Sequence, residues 1–114
     1  MPPMTRPEDL PYKLRERRMI AETNGLRVQI LTLDGDEEVP WHYHTEISDT
    51  FICLDGPMVV EMKDPPGDRE LGAGDVFDVP PGTPHRVVGK NGGYCRFVIV
   101  QGIGEHDFIP VGDD

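Results

Sequence analysis

The chain has 114 residues, enough for one domain with a sizeable core, and its 37% hydrophobic content excludes an intrinsically disordered chain. A formal net charge of −10 argues against nucleic acids and anionic membranes as partners. The 13 glycines and 12 prolines indicate many turns between short elements, which favours an all-β chain over a helical bundle.

No apolar run reaches the roughly 18 residues that a membrane span requires, and the N-terminus lacks the apolar stretch of a signal peptide. We therefore expect the chain to stay in the cytoplasm. Cys53 and Cys95 fall in separate predicted strands and show no Cys-x-x-Cys spacing. We expect both thiols to be reduced, with neither a disulfide nor a zinc-thiolate site.

Short predicted strands follow an irregular, proline-rich N-terminal arm. The first two, residues 17–22 and 26–33, flank Asn24-Gly25, which is a strong hairpin signal. Residues 64–68 are predicted to form a turn, and residues 102–114 an irregular tail. The remaining predicted strands are 38–44, 50–54, 58–63, 76–79, 85–88 and 94–100. Short strands at this spacing predict a sandwich or a barrel.

Two histidines two residues apart are the first chemical signal. On an extended strand, His42 and His44 point to the same side, as two ligands of one metal ion must. Asp49 follows five residues later, and a turn before the next strand brings its carboxylate back beside them. His85 comes after a Pro-Gly turn, at the start of another short strand. These four residues are the candidate metal ligands.

Three imidazoles and one carboxylate suit a divalent transition ion (Fe, Mn, Zn, Ni, Co or Cu) better than Ca²⁺ or Mg²⁺, which prefer oxygen shells. One carboxylate against a dication leaves a local charge near +1, which attracts a carboxylate or enolate. Four protein ligands on an ion that can take six leave room for such a molecule.

The two stretches resemble the paired motifs of the cupin superfamily, G-x5-H-x-H-x3,4-E-x6-G and G-x5-P-x-G-x2-H-x3-N. The resemblance covers about residues 25–101. It implies a jelly-roll β-barrel (a double-stranded β-helix) with one metal ion held by His42, His44, Asp49 and His85. The matching positions are His42, His44, Asp49 and Gly56, followed by Gly74, Pro80, Gly82 and His85.

Three positions depart from the motifs. Gly35 stands six residues before His42 rather than five, and Gly89 stands where the family often has Asn. Asp49 replaces the usual Glu, so its carboxylate is shorter by about 1.5 Å, one carbon–carbon bond. Asp49 can then bind after an inward shift of the backbone, bind through water, or orient a histidine instead.

We therefore predict an all-β jelly-roll domain over residues 17–110, with an N-terminal arm at 1–16 and a tail at 111–114. The favoured function is a metal-dependent enzyme, of dioxygenase or isomerase/lyase type, acting on a small carboxylated or enolisable molecule. Asp49 is the candidate catalytic residue, as a proton acceptor if it is not bound. The alternative is a non-catalytic small-molecule or metal sensor. We also expect a homodimer through edge strands or the N-terminal arm.

Several other side chains are weaker candidates. Arg86, Arg96 and Lys90 are able to meet an anionic substrate, but a solvated surface role is favoured for each. Trp41 and Tyr43 alternate with the histidines, so they are expected to point away from the metal and to pack in the core or an interface.

Overall fold

The computed structural model describes residues 12–112, which form ten β-strands and a short 3₁₀ turn at Lys90–Gly92. The strands are β1 Glu16–Thr23, β2 Leu26–Leu33, β3 Glu38–Tyr43, β4 Ser48–Asp55, β5 Met58–Met62, β6 Gly67–Leu71, β7 Val76–Val79, β8 His85–Gly89, β9 Cys95–Gly102 and β10 Ile109–Pro110. None of the helical structure in this range is long and apolar enough to cross a membrane.

The strands pair into two five-stranded antiparallel sheets that pack face to face. One sheet has the order β1-β2-β9-β4-β7 and the other β10-β3-β8-β5-β6. Strands distant in sequence become neighbours, because β9 lies between β2 and β4, and β8 lies between β3 and β5. This arrangement is the predicted jelly roll.

Turn residues in the sequence explain where the strands reverse. At Asn24-Gly25, Gly25 has a φ of +82°, and Thr23 pairs with Leu26 across the two-residue loop. At the predicted turn before β9, Asn91 and Gly92 have φ of 58° and 75°. Glycine and asparagine are the residues that adopt this left-handed region at least cost, so both turns follow from their chemistry.

Alternate residues of the central strands fill the space between the sheets. Fully burying one large aliphatic or aromatic side chain contributes roughly 1.5–3 kcal/mol, so this cluster supplies most of the stabilisation. Cys53 and Cys95 lie inside it as free thiols. The cluster comprises Leu31, Leu33, Val39, Phe51, Cys53, Met58, Val60, Leu71, Val79, Val87, Cys95, Phe97 and Ile99.

The structure contains two strands that the sequence analysis missed. β6 pairs with β5 in the stretch predicted as a turn and its continuation, with Met62 opposite Gly67 and Met58 opposite Leu71. Its first four residues are exposed, so it carries no alternating apolar signal. The tail is also not wholly irregular, because β10 pairs with β3 beside the candidate ligands. Of the predicted arm at 1–16, residues 1–11 lie outside the described residues.

Candidate metal centre

His42 and His44 point into the barrel from the end of β3. A bulge between Val39 and His42 shifts the register of β3 against β8, and both histidine side chains beyond it are buried. Their Nε2 atoms are 3.1 Å apart, so they face one point, as their spacing predicts. Trp41 instead packs beneath the Lys63 ammonium, 4.4 Å from the ring centroid.

His85 and Asp49 reach the same point from two other strands. His85 lies directly opposite His42 in the β3–β8 pair, whereas Asp49 comes from β4 in the facing sheet. Asp49 Oδ2 is 2.9 Å from His85 Nε2, 3.0 Å from His44 Nε2 and 3.9 Å from His42 Nε2. One potential ligand atom from each of the four residues lies within 4.8 Å of all the others. The shorter side chain of Asp49 therefore reaches the histidines directly.

Backbone carbonyls fix the tautomer of each imidazole. A carbonyl oxygen can only accept a hydrogen bond, so a ring nitrogen bonded to it must carry the proton. In all three histidines that nitrogen is Nδ1, and the neutral ring then has a bare lone pair at Nε2. The bonds run from His42 to Pro40 at 2.7 Å, from His85 to Thr83 at 2.9 Å, and from His44 to Asp107.

These donors fit a transition-metal ion. Three Nε2 lone pairs and a carboxylate oxygen converge in a buried space, an arrangement that needs a bound cation or protonated rings to be favourable. Metal–ligand bonds of about 2.1 Å at right angles put neighbouring ligand atoms about 3 Å apart. The His42–His44, His44–Asp49 and His85–Asp49 separations of 3.1, 3.0 and 2.9 Å match that spacing.

The cluster also shifts the ionisation of its members. Burial alone would raise the pKa of Asp49, but interaction with the three histidine rings, which donate to it when protonated, holds this pKa well below its usual value. Burial lowers the pKa of His42. For His44, burial acts in the same direction, but the hydrogen bond and charge of Asp49 outweigh it and raise the pKa. Asp49 is therefore ionised, and His44 is the ring that most readily takes a proton.

The segment after β9 folds over the cluster and holds His44 in place. Besides the Asp107 carbonyl on His44 Nδ1, the Asp107 carboxylate accepts hydrogen bonds from the Thr45 amide, at 3.0 Å, and from the Thr45 hydroxyl. His106 Nε2 meets the Gln101 carbonyl at 3.0 Å, which further anchors the segment. Part of the predicted irregular tail is thus a support for one candidate ligand.

An aromatic stack covers the cluster on one side. Phe108 stacks on His42 with ring centroids 4.1 Å apart, and Tyr12 stacks on Phe108 at 5.7 Å. Burial, followed by the charge of Asp49, raises the pKa of Tyr12, so its hydroxyl remains a neutral hydrogen-bond donor. The four cluster residues are at most 4% exposed, so this stack and the strands around it exclude water.

The weaker sequence candidates lie in ion pairs or away from the cluster. Arg86 pairs with Glu38 at 3.5 Å and with Glu61 at 3.2 Å. Lys90 pairs with Glu70 at 3.0 Å. Both cations are therefore paired with glutamates outside the cluster.

Sequence reasoning missed the residues that support the cluster, chiefly Gln101, Asp107, Phe108 and Tyr12. One signal was available for Gln101, which continues the alternation of buried Cys95, Phe97 and Ile99 along β9. A polar residue at an inward position of an apolar strand indicates a buried partner. Asp107, Phe108 and Tyr12 are brought in by the tertiary fold and carry no local pattern.

Comparison with known proteins places these observations in a family. The family of the cupin domain matches residues 29–101, which include all four cluster residues. An uncharacterised protein of Bacillus subtilis (strain 168), YdbB, is 34% identical over 67 residues, or 59% of this chain. The matched segment spans 57% of the length of that curated relative.

Solved structures share the fold at low sequence identity. An uncharacterised Klebsiella pneumoniae protein with a double-stranded β-helix domain has a TM-score of 0.72 and 23% identity, covering 85% of this chain and 84% of its own. An oxalate oxidase in complex with the substrate analogue glycolate has a TM-score of 0.70 and 15% identity, covering 84% of this chain and 54% of its own.

Proposed function

This chain belongs to the cupin family, and from that premise we propose that it is a metal-dependent enzyme acting on a small carboxylated or enolisable molecule. The proposed ligands of a single divalent transition ion are His42, His44, Asp49 and His85. The reaction is of dioxygenase or isomerase/lyase type. One observation carries the proposal: three Nε2 lone pairs and an ionised carboxylate converge in a buried space.

When bound, the ion supplies a Lewis acid, or in a redox-active case an oxygen-binding centre, at its open coordination positions. The residues of the chain hold and tune it. The three imidazoles are oriented by backbone carbonyls, and Asp49 contributes the single negative charge. The Asp49 carboxylate and the divalent ion together carry about one positive charge in a site shielded from water. An anionic oxygen is therefore the ligand that the site favours.

A small carboxylate is the substrate class that this charge supports best. The oxalate oxidase that shares the fold binds glycolate, a substrate analogue that is a small carboxylate. Tyr12 and Phe108 lie over the cluster, so we propose that the substrate enters by displacing this aromatic pair. The Tyr12 hydroxyl, kept neutral by its raised pKa, is then available to donate a hydrogen bond to a bound anion.

The test combines metal analysis with turnover. The full chain is purified without added metal, its metal content is measured, and samples are reloaded with Fe²⁺, Mn²⁺, Ni²⁺, Co²⁺, Cu²⁺ or Zn²⁺. Each sample is given a panel of small carboxylates, carbonyl compounds and catechols, with oxygen uptake and product formation followed. We expect about one metal per chain and turnover of at least one compound, and neither in a variant with His42→Ala and His44→Ala.

A non-catalytic sensor of a metal or small molecule is the second candidate, because the cluster is sealed beneath Tyr12 and Phe108. Such a module would bind the metal or a carboxylate with no product formed. Saturable carboxylate binding without turnover under any metal would favour the sensor. Absence of metal binding to the wild-type chain would contradict the enzyme, and absence of both metal and carboxylate binding would contradict both functions.

We also propose that the chain acts in the cytoplasm as a homodimer of one barrel domain, residues 17–110, with the arm at 1–16 and the tail at 111–114. The edge strand β1 supports pairing, since Ile20 on it is 52% exposed. The buried free thiols Cys53 and Cys95 support a reducing compartment. Light scattering should give twice the chain mass; a monomer at micromolar concentration would contradict the dimer.

A further inference from the structure

A line of buried polar side chains runs across the first sheet to Asp49. Arg17 Nε donates to Gln29 Oε1, and Gln29 Nε2 donates to Gln101 Oε1 at 3.0 Å. Gln101 Nε2 donates in turn to Asp49 Oδ1 at 3.1 Å. All four residues are less than 10% exposed, although Gln101 and Asp49 come from strands whose other inward residues are apolar. Burial of so many polar groups is costly unless each one has a hydrogen-bond partner, and the contacts along this line supply such partners.

The direction of every bond in the line follows from chemistry. The guanidinium of Arg17 has donors only, so the amide oxygen of Gln29 must face it. The amide nitrogen of Gln29 then points the other way and requires the oxygen of Gln101. The amide nitrogen of Gln101 is therefore the group that meets Asp49. A permanent cation at one end thus ensures that a donor faces Asp49 Oδ1 at the other.

The two oxygens of Asp49 consequently have different roles. Oδ1 accepts the hydrogen bond from Gln101, whereas Oδ2 faces His44 and His85 at 3.0 and 2.9 Å. Gln101 lies directly opposite Asp49 in the β4–β9 pair, so the register of two strands fixes this contact. Such cross-strand neighbours have β-carbons about 4.5–5.5 Å apart, which leaves the carboxylate little freedom to rotate.

We propose that Gln101 is a positioning residue that makes Asp49 a one-oxygen metal ligand, with Gln29 fixing the orientation of the Gln101 amide. This inference rests on the proposed metal site. It explains how the shorter Asp49 serves where related motifs carry Glu, because a donor behind the carboxylate directs its other oxygen to the histidines. Single-oxygen binding also leaves free the position that a second carboxylate oxygen would occupy.

The probe is Co²⁺ binding to the metal-free full chain, measured as a dissociation constant and as a visible absorption spectrum. Gln101→Met keeps the side-chain length and removes both the oxygen and the nitrogen of the amide. We expect it to weaken Co²⁺ binding about 10- to 100-fold, as loss of a group that orients a metal ligand typically does. We also expect a changed spectrum, because the freed carboxylate can present both oxygens. Thr50→Val is the matched control, since it removes a hydrogen bond to Asp78 at the next residue of β4, outside the barrel.

A second variant tests the order of the line. Gln29→Met leaves the contact of Gln101 with Asp49 in place but removes the group that orients its amide, so we expect a smaller loss of affinity. In the double variant, Gln29→Met should add nothing to the effect of Gln101→Met, because the two act in series. Additive losses would overturn the serial arrangement.

The outcomes separate this inference from the proposed function. If the wild-type chain binds Co²⁺ but Gln101→Met binds it within threefold and with the same spectrum, Gln101 does not position Asp49 and the metal site stands. The inference is likewise overturned if Gln101→Met lowers only the melting temperature of the metal-free protein. If the wild-type chain binds no Co²⁺, both the inference and the metal site are overturned.

Discussion

Two cross-strand rows on the same inner face of one sheet have opposite character. In one row, Arg27, Gln101 and Asp49 are neighbours across β2, β9 and β4. Four residues along the same strands, about 13 Å away, the corresponding row is Leu31, Phe97 and Cys53. Both rows are buried, but the first is polar and hydrogen-bonded whereas the second is apolar.

The difference shows that the barrel interior is divided along its strands into an end that stabilises the fold and an end that holds the candidate metal centre. Burial of apolar area stabilises the apolar end. The polar end contributes less to stability because its hydrogen bonds replace hydrogen bonds to water. Substitutions at the two ends should therefore change different properties, and each prediction below tests that separation.

The largest expected effect on function is at the polar end. Joint replacement His42→Ala and His44→Ala removes two of four ligands, so we expect complete loss of bound metal by elemental analysis. The circular dichroism spectrum should remain that of a β-barrel, because the apolar end is untouched. Retained metal would mean that the ligands lie elsewhere.

The largest expected effect on stability is at the apolar end. Phe97 is fully buried and packs edge to face on Phe51, with ring centroids 5.7 Å apart. Phe97→Ala should lower the free energy of unfolding by about 3–5 kcal/mol in urea titrations, while the folded fraction still binds one metal. Loss of metal from the folded fraction would show that the two ends are coupled.

An added methylene at Asp49 should have an intermediate effect. The carboxylate already contacts histidine nitrogens on one oxygen and Gln101 on the other, in a site that is 1% exposed. Asp49→Glu lengthens the side chain by about 1.5 Å and must displace one of these contacts. We expect roughly tenfold weaker metal binding by competition titration. Equal or tighter metal binding would mean that the Asp49 side chain is barely long enough to reach the metal.

Metal affinity should also fall in mild acid. Asp49 raises the pKa of His44 above 6.5, so a proton competes with the metal at that ring below the raised pKa. Asp49 does not compete in this range because its own pKa is lowered. Between pH 8 and 6 we expect the dissociation constant to rise up to about tenfold per pH unit once the pH is below the His44 pKa. A constant metal affinity over this range would contradict the protonation of His44 in the metal-free protein.

The smallest expected effect is on the segment that covers the cluster. Thr45→Ala removes the hydroxyl that donates a hydrogen bond to the partly exposed Asp107 carboxylate but leaves the hydrogen bond from the Thr45 amide, at 3.0 Å. We expect the unfolding free energy to fall by about 0.5–1.5 kcal/mol, and metal dissociation to become faster because His44 loses part of its support. A larger effect on metal binding than that of Asp49→Glu would reverse the proposed ranking.

The parts of the fold that sequence reasoning found are those with local signals. Asn24-Gly25 marks its hairpin, and the spacing of His42 and His44 places both rings on one face because strands have a period of two. β6 escaped because its exposed edge residues, such as Asp68 and Arg69, follow no apolar pattern. Pairing with β5, not intrinsic preference, makes this segment a strand.

The residues that orient the candidate ligands could not be predicted from local sequence patterns, for a different reason. Gln29 and Gln101 are 72 residues apart and meet only because β2 and β9 pair in the observed register. Similarly, Asp107 reaches His44 only after the chain passes over the end of the barrel. Motif spacing can predict metal ligands, whereas the residues that orient them depend on which strands become neighbours.

The most direct test of the central claim is a crystal structure of the metal-loaded protein, with anomalous scattering to identify the element. We predict one transition-metal peak about 2.0–2.2 Å from the Nε2 atoms of His42, His44 and His85 and from a single oxygen of Asp49. A loaded crystal with no peak among these atoms, or with His85 turned away from the other two rings, would contradict the account.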